Sequence, residues 1–217
     1  ISLIVPCLNE EEAIPAFKQE IDRVFKECLE GYAPELIFVD DGSTDRSLEM
    51  IKKMAEHSPE VKFISFSRNF GKEAAIYAGL EAATGDYAAV MDVDLQDPPS
   101  LLPDMLKAIE KEGYDCAGTR RVTRQGEPLL RSFFARAFYK TIHQISNTRI
   151  VDGARDYKLM TRPVLEALLS LKEYNRFSKG LYEWVGFRTK WFEYENVERV
   201  AGETKWSFFK LFLYSIE

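Results

Sequence analysis

Cysteine is scarce in this 217-residue chain: Cys7, Cys28 and Cys116 are odd in number and widely spaced. That excludes a disulfide framework and fits a reducing compartment. Histidine is scarcer, and His57 and His143 lie near no cysteine pair, so a structural zinc site has almost no ligands to draw on. Excess positive charge is missing too. The 29 Lys+Arg against 35 Asp+Glu leave a net charge of -6, which argues against a protein that coats nucleic acid through its overall charge. No stretch reaches the roughly 18 apolar residues of a membrane-spanning helix, and no signal peptide opens the chain. None of the 12 glycines forms a G-x-G-x-x-G fingerprint and no G-x-x-x-x-G-K-[ST] occurs, which disfavours a dinucleotide dehydrogenase and a P-loop ATPase. Repeats and low-complexity tracts are absent. Ile1 is not a Met, and the chain stops at Glu217 inside an aromatic-rich run, so we expect a longer parent protein.

What is present is an ordinary globular composition, 46% hydrophobic and 29% charged, with 15 Phe, 10 Tyr and 3 Trp to fill a sizeable core. Apolar runs at Ile1 to Leu8, Leu36 to Val39, Val61 to Phe66 and Tyr87 to Met91 each end in polar residues. Helical spacing follows: Ala13, Phe17, Ile21, Val24 and Phe25 after the first run, Leu48, Ile51 and Met54 after the second, an alanine-rich stretch from about Glu73 to Ala83 after the third. Alternating strands and helices predict an α/β fold with a mainly parallel sheet, whose ligands gather at the carboxyl ends of the strands.

The acidic loops fall at those ends. Asp92-Val93-Asp94 after the fourth run is expected to place two carboxylates on one side of an extended backbone, with Gln96 in phase. Hard oxygen donors suit Mg²⁺ or Mn²⁺ bridging to a phosphate. Alone, a solvated turn stopped by Pro98 and Pro99 is favoured about two to one, because short acidic turns are common. Asp40-Asp41-Gly42-Ser43 carries the same ambiguity. Two acidic loops at neighbouring strand ends reverse the odds, since crowded carboxylates need a cation or a donor-rich ligand between them. Lys72 opens the third helix after Gly71, where it can reach a diphosphate or stand as a solvated first-turn lysine. Asp156 is a candidate general base or positioning carboxylate, with a turn cap as the even alternative.

From Gly118 to Ile145 the character changes. Arg120, Arg121, Arg124, Arg131, Arg136 and Lys140 face only Glu127 among acids, with Phe133, Phe134, Phe138 and Tyr139 interleaved. A solvated face with snorkelling arginines is the usual reading; the functional one is an anionic, greasy partner at a membrane surface. Lys205 to Ile216 has the pattern of a helix that lies on, or leads into, a bilayer.

As an ordered set, Leu3-Ile4-Val5-Pro6-Cys7-Leu8-Asn9-Glu10, Val39-Asp40-Asp41-Gly42-Ser43-Thr44-Asp45, Asn69-Phe70-Gly71-Lys72 and Met91-Asp92-Val93-Asp94-Leu95-Gln96-Asp97-Pro98 resemble the family 2 glycosyltransferases of GT-A fold. More narrowly, the chain resembles the polyprenyl-phosphate group, which takes in dolichyl-phosphate mannose synthases and bactoprenol glucosyltransferases. The likeness continues through Arg155-Asp156-Tyr157-Lys158-Leu159-Met160, Arg176-Phe177-Ser178-Lys179-Gly180 and Arg199-Val200-Ala201-Gly202-Glu203-Thr204-Lys205-Trp206-Ser207. The Gln-x-x-Arg-Trp motif of the processive synthases is missing, which favours single transfer.

The resemblance implies a Rossmann-like sheet flanked by helices, with C-terminal amphipathic helices leading to a membrane region. It divides the chain into a nucleotide-sugar half (1–117), an acceptor half (118–204) and a juxtamembrane helix (205–217). It implies one sugar moved from a nucleotide sugar to a polyprenyl phosphate with inversion, on a membrane-associated enzyme facing the cytoplasm and anchored by transmembrane helices of the parent protein. Pro6, Leu8, Asn9, Glu10, Asp40, Asp41, Ser43, Lys72, Asp92 and Val93 would bind the nucleotide sugar, Asp41 through a ring N–H of the base. Asp92, Asp94 and Gln96 would hold Mg²⁺ or Mn²⁺, and Asp94 and Asp156 would act in the chemistry. Arg120, Arg124, Arg131, Arg136, Lys179, Arg199 and Lys205 would grip the acceptor phosphate or diphosphate. UDP-glucose is favoured as donor, with UDP-N-acetylglucosamine and GDP-mannose behind it. A nucleotidyltransferase, or a non-catalytic nucleotide-sugar or lipid-binding module, are the rivals. No nucleic-acid partner is expected, and a homo-oligomer is left open.

Overall fold

A computed structural model of the chain describes residues 1–121, 151, 153–173 and 176–194. Along the chain run β1 (Ser2–Cys7), α1 (Ile14–Cys28), β2 (Glu35–Asp40), α2 (Ser47–His57), β3 (Val61–Ser65), α3 (Lys72–Ala82) and β4 (Tyr87–Val90). A short 3₁₀ turn, Pro99–Leu101, leads into α4 (Leu102–Glu112) and β5 (Cys116–Arg121). Further on come β6 (Ala154–Thr161), α5 (Arg162–Ser170), α6 (Ser178–Trp184) and β7 (Thr189–Tyr194). The expected strand and helix succession is present, with ends that differ by a residue or so.

The strands form one seven-stranded sheet in the order β3-β2-β1-β4-β6-β5-β7. β1 runs parallel to β2 and β4, β2 to β3, and β5 to β7, while β6 is antiparallel to both β4 and β5. One reversed strand therefore sits inside a mainly parallel sheet. β5 crosses the expected boundary at residue 118, and the same sheet continues on either side of it.

Both faces of the sheet are covered, so the central strands are apolar at successive positions rather than at alternate ones. Leu3, Val5, Leu36 and Phe38 pack with Phe17, Ile21 and Met105 on the side of α1 and α4. Ile4, Ile37 and Val39 pack with Ala75, Ile76 and Leu80 on the side of α3. Each fully buried side chain of this size contributes about 1.5–3 kcal/mol. α3 lies close to the sheet because Gly79 lacks a Cβ; one built there would stand 2.3 Å from Ile4 Cγ2. Among the described residues no helix is long and apolar enough to cross a membrane.

The reversed strand positions the site. In the β4/β6 register Ala89 faces Leu159 and Val90 faces Lys158. Continued for two residues, that register brings Asp92 beside Asp156, at the same edge where β1 and β2 end.

Candidate active site

The loops after β1 and β2 are laced together. Asn9 N–H donates to Ser43 Oγ at 2.9 Å, and Thr44 N–H donates to Asn9 Oδ1 at 2.7 Å. Glu10 N–H donates to Ser47 Oγ at 2.7 Å, and Asp40 Oδ1 accepts from Ser43 N–H at 3.3 Å. Asn9 adopts a left-handed φ of 53°, which Asn tolerates better than most residues. Of the residues expected to contact a nucleotide, Asn9, Asp40 and Ser43 thus also build the frame. Pro6 and Leu8 are half-buried at the end of β1. The Val93 side chain is 3% exposed and belongs to the core on the α1 side.

Asp41 is 4% exposed, and its carboxylate accepts from Phe70 N–H at 2.7 Å and Gly71 N–H at 3.0 Å. Burial pushes its carboxyl above the ordinary range, against the pull of those two amides. Gly42, at φ 73°, lets the loop press against the backbone of Arg68 and Asn69: a Cβ would stand 2.5 Å from the Arg68 carbonyl carbon. Asp41 therefore fixes the approach to α3 and aims Lys72.

Lys72 is the first residue of α3 and links two carboxylates. Its Nζ lies 2.6 Å from Asp92 Oδ1 and 2.5 Å from Asp156 Oδ2. Lys179, on α6, stands 3.7 Å from Asp156 Oδ1. Burial opposes the charge on Asp156, but Lys72 and Lys179 outweigh it and hold the carboxyl far below the ordinary carboxylate range. Burial likewise opposes the charge on Lys72, and Asp156 and Asp92 overcome it and hold the amine protonated. Asp156 is an anion throughout the neutral range and a weak proton acceptor there.

The loop after β4 differs from expectation. β4 stops at Val90, residues 93–97 form turns and bends, and Leu95 takes a left-handed φ of 57°. This breaks the two-residue alternation, so Asp92, Asp94 and Gln96 do not project from one side of an extended strand. Asp94, 8% exposed, accepts instead from Gln96 N–H at 3.1 Å through Oδ1, a local side-chain turn of the kind Asp favours. Among the described residues no three Asp, Glu, His or Cys side chains converge into a metal cage. Hard carboxylate oxygens at the mouth of the site, one of them already facing an ammonium group, nevertheless fit a divalent cation that takes one or two carboxylates and completes its shell with phosphate and water.

Under this loop lies a cluster that sequence reasoning missed. Asp97 is fully buried; its Oδ1 accepts from Arg155 Nε–H at 3.0 Å and from the Tyr194 hydroxyl, while Oδ2 has no hydrogen-bond partner. Burial pushes its carboxyl up, against the pull of Arg155. Arg155 also reaches within 4.0 Å of Asp92 Oδ2. The available signal was the third acid in Asp92-Val93-Asp94-Leu95-Gln96-Asp97, but its partners come from β6 and β7.

Of the expected acceptor-phosphate residues, Lys179 joins the Asp156 centre. Arg120 lies on β5, where it forms an ion pair with Glu193 across the β5/β7 register. Arg124, Arg131, Arg136, Arg199 and Lys205, the aromatic residues between them and the juxtamembrane stretch lie outside the described residues.

The profile of glycosyl transferase family 2 matches residues 2–169. The chain is 44% identical over 217 residues to CsbB of Bacillus subtilis (strain 168), covering 100% of this chain and 65% of that protein. It is 42% identical to the prophage bactoprenol glucosyl transferase homolog of Escherichia coli (strain K12), and 42% identical to the bactoprenol glucosyl transferase of Shigella phage SfV. Each match covers all of this chain and 70% of the relative. The chain thus spans about two thirds of the length of these relatives. Among solved structures, glucosyl-3-phosphoglycerate synthase from Mycobacterium tuberculosis with Mn²⁺, UDP-glucose and phosphoglyceric acid superposes with a TM-score of 0.63 at 20% identity, covering 99% of this chain and 75% of that one. A mannosyltransferase from Pyrobaculum calidifontis with GDP-mannose and Mn²⁺ gives 0.60 at 20% identity, with 92% and 56% covered. These likenesses agree with the fold derived above, and the profile and the sequence relatives, taken with the acidic strand-end loops, establish that the chain belongs to glycosyl transferase family 2.

Proposed function

We propose that the chain transfers one sugar, with glucose from UDP-glucose favoured, to the phosphate of a polyprenyl phosphate at the cytoplasmic face of a membrane. The observation that carries the reading is Lys72 held between Asp92 and Asp156. It puts one ammonium group, within reach of a diphosphate, beside a carboxylate that Lys72 and Lys179 hold ionised at neutral pH. The relatives named as bactoprenol glucosyl transferases support the acceptor class and the sugar.

In this reading the nucleoside lies across the laced loops after β1 and β2, near Pro6, Leu8, Glu10 and Asp41. Asp41 has an amide partner on each oxygen, and remaining lone-pair capacity would serve a ring N–H of the base. A divalent cation held by Asp92 and Asp94, with Gln96 beside them, would neutralise charge that develops on the departing nucleoside diphosphate. Lys72 turns from the carboxylates to the diphosphate and stabilises the same charge in place. An acceptor phosphate oxygen attacks the anomeric carbon from the opposite side as the bond to the diphosphate oxygen breaks, so the configuration inverts. The acceptor monoester, with a second pKa near about 6, is already largely anionic at neutral pH. Asp156 therefore has no proton to remove; it holds Lys72 until the diphosphate arrives, orients Lys179 and stabilises positive charge on the sugar ring. Lys179, with Arg120, Arg124, Arg131, Arg136, Arg199 and Lys205, would receive the acceptor phosphate.

The test is transfer to undecaprenyl phosphate by the full-length protein in membranes or detergent, with labelled UDP-glucose, UDP-N-acetylglucosamine and GDP-mannose offered separately. Lipid-linked label from UDP-glucose, lost in Asp94→Ala, is the expected result. Label from one of the other donors alone would correct the sugar, and transfer undiminished in Asp94→Ala would remove the assignment of the acidic loop.

A further inference from the structure

We infer that Glu73 is a positioning residue, which holds Lys179 against Asp156 by fastening the first turn of α6 to the first turn of α3. The inference rests on the reading of Asp156 and Lys179 as the acceptor side of the transfer site, with Lys72 on the donor side. Glu73 follows Lys72 in α3, and its Oε2 accepts from Ser178 N–H at 3.0 Å and from the Ser178 hydroxyl. Ser178 is 4% exposed and begins α6. The next residue is Lys179, 3.7 Å from Asp156 Oδ1, while Lys72 stands 2.5 Å from Oδ2. Two consecutive residues of one helix thus set both cations around one carboxylate, Lys72 by direct contact and Lys179 through Ser178.

The ordinary explanation of an acid in a first helical turn is its favourable interaction with that helix's own amino end. It does not account for a carboxylate that takes both donors of a residue 105 positions away. α6 has only seven residues, too few to hold a helix or its direction without tethers. Its far turn has one as well: Lys158, 1% exposed, lies 3.4 Å from Glu183 with its Nζ 4.9 Å from the Tyr182 ring centroid. Lys158 is two residues from Asp156 on β6 and on the same face. One end of α6 is tied to the helix that carries Lys72, the other to the strand that carries Asp156. With the Glu73 carboxylate gone, a buried N–H and hydroxyl lose their acceptor, and the end of α6 next to Lys179 is the end released.

The experiment compares Glu73→Ala, Glu73→Gln, Lys179→Ala and the Glu73→Ala/Lys179→Ala pair in the full-length protein. It reads KM for undecaprenyl phosphate, KM for the nucleotide sugar, kcat, and amide hydrogen exchange of residues 176–184. We expect Glu73→Ala to raise the acceptor KM about tenfold while the donor KM moves less than about twofold. Glu73→Gln, which keeps an acceptor oxygen, should restore most of the difference. The double variant should be no worse than Lys179→Ala, because both changes remove one interaction. Exchange in α6 should quicken about tenfold in Glu73→Ala, with the centre of α3 unchanged. Losses that multiply in the double variant, or equal losses in both KM values, would overturn the proposal. So would unaltered exchange in α6, whatever the transfer assay gives. Quickened exchange in α6 together with no transfer by the unsubstituted protein would uphold the tether and sink the functional reading instead.

Discussion

Buried and half-buried acids stand at both ends of the central strands, and they are neutralised in opposite ways. At the amino end, Glu35 opens β2 and accepts from Ser2 Oγ–H, from Thr84 N–H at 2.9 Å, from Thr84 Oγ1–H at 2.6 Å and from Lys62 Nζ at 2.5 Å. Its partners come from β1, the end of α3 and β3, and most of them are short, neutral and fixed. At the carboxyl end, Asp156 and Asp92 meet the long, flexible amines of Lys72 and Lys179. Asp97 beneath them keeps one oxygen without a hydrogen-bond partner. A carboxylate saturated by backbone and hydroxyl groups has nothing to offer a ligand and ties chain segments together. A carboxylate balanced by lysines can surrender them to an arriving phosphate. The same residue type is a structural knot at one end of the sheet and a reactive centre at the other.

Substitutions can break this contrast, and the largest effect belongs to the carboxyl end. Asp156→Asn should lower the transfer rate by about 10³-fold, with a fall in melting temperature smaller than that of Glu35→Ala, because the charge it gives up stabilises the fold but Lys72 keeps Asp92. A large fall in melting temperature with residual activity unchanged would make Asp156 a second structural knot. Lys72→Met should lower kcat by about 10²-fold, the usual cost of one preorganised donor to developing charge, and weaken nucleotide binding; unchanged donor affinity would contradict its transfer to the diphosphate. At the amino end the ranking inverts. Glu35→Ala should destabilise by about 2–3 kcal/mol, since it leaves several donors without an acceptor, and the folded protein should retain near-normal kcat. Denaturant titration and turnover on the same preparations separate the two classes.

Acidification sharpens the comparison by a smaller amount. Burial alone would raise the Glu35 pKa, but Lys62, Ser2 and Thr84 bring it down to about 2, against an ordinary 4.5. Because the folded pKa is the lower one, the stabilisation is present above pH 4.5 and is lost as pH falls from there towards 2. Glu35→Gln should flatten the stability profile over that window. Asp156, also held below its ordinary range, adds to the slope in the same direction, so Asp156→Asn should flatten it further at its acid end. A stability profile that both variants leave unaltered would show that neither carboxylate is perturbed in solution.

Much of the frame was legible in sequence. The apolar runs and the polar residues that end them gave strand, loop and helix in the right succession, and the acidic loops were expected at the carboxyl edge. Lys72 and Asp92 were expected together at the nucleotide sugar, and Asp156 apart from them. Their meeting depends on β6 running against β4, in a register that no local pattern announces. The expected alignment of Asp92, Asp94 and Gln96 failed because the chain turns at residues 93–94 and Leu95 then takes a left-handed backbone, which a leucine gives no reason to anticipate. Asp97, Arg155 and Tyr194 were missed as a cluster because each reads alone as an ordinary surface residue, and only the stacking of three distant segments buries them. Glu73 was passed over for the same reason, its partner lying in another helix.

The most direct test of the central contrast is thermal unfolding of this chain with UDP, GDP or NAD, each with and without Mn²⁺. A ligand that binds only the folded state stabilises by mass action, by about 2.7 kcal/mol at a hundredfold excess over Kd. The melting temperature should rise with UDP, or with GDP if the donor base is the other one, in a way that requires Mn²⁺, disappears in Lys72→Met and Asp92→Ala, and survives in Lys62→Ala. No rise with either nucleotide at millimolar concentration, or a rise indifferent to Lys72 and Asp92, would contradict it.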